Sequence, residues 1–82
     1  MDKIKLEAGQ RVEIFEEPIR EKWSLGKGTL VRQATPEEYN KQVSDENYDA
    51  EYWMDFGVEL WWVKDIEAFE DTYKERIYII KP

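Results

Sequence analysis

The chain has 82 residues, a formal net charge of −7 at neutral pH, and neither cysteine nor histidine. A chain this short buries only about 60% of its unfolded surface, so it forms one domain over residues 1–82. The two missing residue types exclude a thiol nucleophile, an imidazole base and a thiolate zinc site.

The charge is uneven along the chain. Residues 1–33 carry seven bases and six acids, a balance of +1, whereas residues 34–82 carry five bases and thirteen acids, a balance of −8. A field of that sign repels polyanions and anionic membranes and favours a basic partner or plain solubility. The opening MDKIKLEAGQ has no apolar signal-like core, and no run of about 18 apolar residues occurs anywhere. The expected location is therefore the cytoplasm, away from membranes.

Ile4 and Leu6 are expected to form either a short strand or a cover over one end of the domain. The first clear element is Arg11 to Phe15, where Val12 and Ile14 share one face and Arg11 and Glu13 the other, the alternation of a half-buried strand. Gly9 before it and Glu17-Pro18 after it punctuate its ends. Pro18 to Gly26 reads as a loop with Trp23 as its one aromatic residue. A second strand follows from Lys27 to Gln33, built on Thr29 and Val31.

Thr35-Pro36-Glu37-Glu38 is the sharpest local signature. The Thr35 hydroxyl can cap the Glu38 amide, the Glu38 carboxylate can reach back to the Thr35 amide, and Pro36 fits a first turn that needs no donor. A helix is predicted from Pro36 to about Ser44, with Tyr39 and Val43 facing inward. Beyond it, Tyr48, Tyr52 and Phe56 recur every four residues and Gly57 can close a helix, so residues 45–57 form either a second helical turn or a tight loop. Val58 to Ile66 is a strand that is either buried on both sides or carries an aromatic face outward. Glu67 to Thr72 is an acidic turn around Phe69, and Arg76 to Ile80 is the last strand.

These segments carry a resemblance. Gly9-x-x-Val12-x-Ile14-Phe15-x-Glu17-Pro18, then Gly26-Lys27-Gly28-Thr29-Leu30-Val31, then Trp62-Val63-Lys64, then Arg76-x-Tyr78 resembles small SH3-like β-barrel proteins of phages and prophages. In that pattern a G-x-x-V-x-I-[FY]-x-[DE]-P opening leads to an E-G-x-A-x-L-V strand, a W-x-V strand and a closing R-x-I strand. The likeness covers residues 6–33 and 58–80. It implies a mainly β fold, an SH3-like barrel of four to five antiparallel strands, with a helical insertion over residues 34–57 between the second and third barrel strands. The chain departs from the pattern in having Gly26-Lys27-Gly28 where Glu-Gly-x is usual, and in the insertion itself. The resemblance transfers no catalytic residue.

Function is not written in any catalytic motif. Ser24 and Ser44 have no neighbouring base, and sequence-adjacent acids such as Glu37 with Glu38 are not thereby placed across a cleft, so no enzyme and no cofactor are expected. Asp45-x-Asn47-x-Asp49 matches the start of a calcium loop, yet Ala50 stands at the turn glycine and Phe56 at the bidentate acid, so no metal site is expected either. What stands out is residues 45–62, DENYDAEYWMDFGVELWW, with six acids, six aromatics and no base. Rings favour burial while carboxylates demand water, so the block predicts a divided surface with at least one exposed indole, Trp53 or Trp61. The expected function is a non-catalytic protein-binding module, a small acidic phage or prophage accessory protein. Its predicted contact residues are Tyr48, Asp49, Tyr52, Trp53, Asp55 and Trp61, facing a protein partner that is basic. The alternatives are an acidic mimic of nucleic-acid phosphate that blocks a host nucleic-acid-binding protein, and, ranked last, direct nucleic-acid binding through Lys3, Lys5, Arg11, Lys22, Lys27 and Arg32.

Overall fold

A computed structural model describes residues 5–42 and 53–82. Four strands, β1 (Arg11–Glu17), β2 (Lys22–Gln33), β3 (Glu59–Lys64) and β4 (Arg76–Ile80), form one antiparallel sheet in chain order. Helix α1 (Pro36–Gln42) lies between β2 and β3. The fold is mainly β, a curled half-barrel with one short helix. Edge strands β1 and β4 approach one another without pairing.

The curl has a local cause. The β1–β2 register slips between Glu13 and Phe15, and the β2–β3 register slips between Leu30 and Arg32; both times the extra residue lies on β2. Each bulge bends and overtwists its strand. Gly28, between them, lies where a β-carbon would come within 2.6 Å of Val63 Cγ1 and about 3 Å of Ile66 and Ile14, so only glycine lets the bent strand sit this close to the core. The concave face then encloses Leu6, Ile14, Leu30, Trp61, Val63, Ile66 and Ile80.

The convex face is also covered. Leu60, Ile77 and Ile79 alternate with the concave-facing residues of β3 and β4 and pack with Val58 and with Tyr39 of α1, flanked by Trp53 and Trp62. β3 is thus buried on both faces, the first of the two arrangements expected for it. The capping box forms as predicted: the Glu38 N–H donates to Thr35 Oγ1 at 3.1 Å, and the Thr35 N–H donates to Glu38 Oε1 at 3.0 Å. Helix α1 therefore covers a second small core through Tyr39.

The strands predicted from Arg11, Lys27, Val58 and Arg76 all exist. The loop expected over Pro18 to Gly26 is mostly strand: β2 begins at Lys22, pairing Glu17 with Lys22 and Phe15 with Ser24, and only Pro18–Glu21 turn, with the Glu21 N–H donating to Pro18 O. Main-chain pairing needs no apolar alternation, so an exposed hairpin arm rich in Lys, Ser and Gly carries no periodic signal. Leu6 is a buried part of the concave core and no strand begins there; Ile4 lies outside the described residues, as do Val43 and residues 45–52. Of the two arrangements open for residues 45–57, the described part, Trp53 to Gly57, is a helical turn that ends at Gly57 with φ of 77°; the Phe56 N–H donates to Trp53 O and that of Gly57 to Met54 O.

Candidate functional site

The most exposed indole is Trp23, with 66% of its surface in water. It sits on the outer arm of the β1–β2 hairpin with φ of 59°, in the left-handed region that a bulky side chain rarely occupies. Beside it opens a cavity of about 520 Å³ lined by Glu16, Glu17, Pro18, Arg20, Trp23, Tyr39, Trp53 and Ile79. A second depression of about 250 Å³ shares Glu16, Pro18, Tyr39 and Ile79 with the first and extends past Gln42, Ile77 and Tyr78. Together they form a groove along the seam where β1 and β4 would have to pair to close the barrel.

The groove has an apolar floor and an acidic β1 wall. Glu17 is paired with Arg20, whereas Glu16 is exposed and has no ion pair among the described residues. The Tyr78 phenol is pushed above its ordinary range, chiefly by burial, with Glu16 adding in the same direction and Arg76 opposing. Glu16 and Tyr78 both line the second depression.

Elsewhere carboxylates are tied down. Glu38 is held below the usual carboxylate range, first by the Thr35 amide and then by the Trp62 indole, whose Nε1 donates to Oε2 at 3.2 Å, and by Arg32. Asp71 is lowered chiefly by Arg76, which donates to Oδ2 at 2.7 Å while stacking 4.2 Å from the centre of the Phe69 ring. Arg11 lies 3.8 Å from Glu67 and donates to Asp65 O at 2.8 Å. Every arginine of the chain thus has a carboxylate within 4.0 Å. Among the described residues no cluster of three or more acidic side chains is placed to hold a metal ion, and no helix is long and apolar enough to cross a membrane.

The predicted contact residues divide. Trp53 lines the groove but is half-buried against the second core, so it is not the exposed indole expected of it, and Asp55 is exposed on the turn after it. Tyr48, Asp49 and Tyr52, with the calcium-like Asp45, Asn47 and Asp49, fall outside the described residues. Trp61 was expected as a candidate exposed indole, and that expectation is corrected: it is 5% exposed within the concave core, its Nε1 donating to Glu59 Oε1 at 3.1 Å. The parity of β3 turns Trp61 inward while Trp62 faces α1, a choice that a run of apolar residues on both faces does not reveal. Sequence reasoning passed over Trp23, Pro18, Glu16 and Ile79 as site residues. The available signal was Trp23, the one aromatic ring between Phe15 and Tyr39.

No family model, curated protein or solved structure matches this chain.

Proposed function

We propose that this chain is a non-catalytic protein-binding module that takes an extended, basic segment of a partner protein in the groove between Trp23 and Trp53. The observation that carries the reading is Trp23, a large ring left mostly in water on a strained backbone at the mouth of an apolar groove. Strain and solvent exposure both cost stability, and a contact made only with a partner accounts for both. Tyr39, Pro18 and Ile79 supply a floor for apolar side chains, and Glu16 with the overall −7 charge selects a cationic segment.

The SH3-like identity, and with it a role as a phage or prophage accessory protein in the cytoplasm, belongs to the same proposal. Its support is the placement of the motif residues: Val12 and Ile14 in β1, Leu30 in β2, Trp62 and Val63 in β3, and Arg76 and Tyr78 in β4. Direct nucleic-acid binding ranks below both other readings, because the −8 balance of residues 34–82 repels phosphate.

Isothermal titration calorimetry with a short alternating Lys-Val peptide and its Glu-Val counterpart tests the reading. The basic peptide is expected to bind, the acidic one not, and Trp23→Ala to weaken binding by about tenfold or more. Equal affinity of wild type and Trp23→Ala would overturn the groove. Binding lost by orders of magnitude on modest addition of salt would instead favour the phosphate-mimic reading.

A further inference from the structure

The geometry points to a specific way of holding that segment: as a fifth strand on the free edge of β4, paired to the main chain of Ile79, with the Gln42 carboxamide occupying the neighbouring pairing position as a stand-in for a strand. This inference rests on the groove reading above and adds its binding mode. The ladder establishes which groups are free. Leu60 O accepts from the Ala34 N–H, so Leu60 turns its main chain toward β2, and Trp61, paired with Tyr78, turns toward β4. In an antiparallel pair the hydrogen-bonded positions alternate, so Arg76, Tyr78 and Ile80 bond to β3 while Ile77 and Ile79 turn their N–H and C=O groups outward.

At Ile77 the outward groups are taken in an unusual way. The Ile77 N–H donates to Gln42 Oε1 at 3.4 Å, and Gln42 Nε2 donates to Ile77 O at 3.5 Å. A side-chain amide presents the same donor and acceptor as a peptide unit, and here it faces β4 as a neighbouring strand would. Both bonds lie at the long end of the hydrogen-bonding range, so they are readily exchanged for a better partner. Ile79, two residues on, opens on the groove with β1 on the far side, which makes the edge at this point a template for an added strand.

The occupant is fixed by charge and by shape. An extended strand on β4 alternates its side chains, one set toward the apolar floor formed by Tyr39, Trp53 and Ile79, the other toward the β1 wall and Glu16. A segment alternating apolar and basic residues meets both demands, and an acidic one meets a carboxylate.

Amide hydrogen exchange read by NMR tests this with the alternating Lys-Val peptide as probe. In the free protein the Ile79 amide should exchange far faster than those of Tyr78 and Ile80. With peptide, Ile79 should slow by roughly tenfold or more, as expected for one new main-chain hydrogen bond. The same peptide N-methylated on the main-chain nitrogens of its valines, or of its lysines, should lose that protection in one of the two forms. Gln42→Ala should extend protection to Ile77 and tighten binding. If the peptide shifts the Trp23 indole resonance but leaves Ile79 exchange unchanged, strand addition is wrong and the groove stands; if neither responds, both fall. Protection of Ile79 that grows with protein concentration in the absence of peptide would assign the edge to a second copy of the chain and overturn the proposed occupant.

Discussion

Trp23 offers a test in which stability and binding respond differently. At an ordinary exposed strand position alanine is more stable than glycine by about 0.5–1 kcal/mol, because glycine gives up more backbone freedom. At φ of 59° any side chain pays about 1–2 kcal/mol for the left-handed conformation. The order should therefore reverse: Trp23→Gly should be more stable than Trp23→Ala by about 0.5–1 kcal/mol, or roughly 2–8 °C in thermal midpoint for a domain of this size. Binding should not distinguish them. An aromatic side chain covers about 150–250 Å² when buried, and Trp23 is 66% exposed, so about 130 Å² is available to a ligand. At about 25 cal/mol/Å² that corresponds to about 3 kcal/mol at most, or about a hundredfold in affinity, before ordering costs are subtracted. Circular dichroism melts and calorimetric titration with the basic peptide read the two effects separately. If Trp23→Ala proves more stable than Trp23→Gly, the backbone strain is not real; if either variant binds like wild type, the ring is not part of the site.

The packing makes further predictions. Gly28→Ala drives a methyl into Val63, Ile66 and Ile14 and should cost about 1–3 kcal/mol; adding Val63→Ala removes the nearest clash, so a double-mutant cycle by chemical denaturation should give less than the sum, and strict additivity would contradict the close approach. Glu38 has a folded pKa held below its unfolded one, so its stabilisation is present above the ordinary glutamate range and is lost as pH falls through the lowered value. Glu38→Gln should accordingly melt below wild type at neutral pH and converge with it in acid; a gap that persists in acid would mean the carboxylate charge is not what matters. Glu16→Gln should weaken the basic peptide by about two- to fivefold at low salt and change little at high salt, since this exposed charge is screened; an effect that survives high salt would argue for a direct desolvated contact.

Much of the local structure was written in the chain. The alternation through Val12 and Ile14, the Thr35 to Glu38 capping box, the closing Gly57 and the strand at Arg76 are short-range signals, set by dihedral preference and by hydrogen bonds between residues near in sequence, so they are legible without a fold. The acid-aromatic block was visible too, but its meaning was not. Trp61 and Trp62 are adjacent and chemically identical, and only the register of β3 against β2 and β4 sends one into the concave core and the other toward α1. The groove depends still more on tertiary structure, for it exists because two bulges on β2 curl the sheet enough to bring β1 near β4 and not enough to pair them. Glu16, Trp23, Gln42 and Ile79 come from four different elements or turns and have no common spacing. The sequence alone determined which segments become strands and which residues begin the helix, because those are contests among neighbours; how far the sheet closes, and hence which main-chain groups are left open, was decided by long-range packing around Gly28 and Val63.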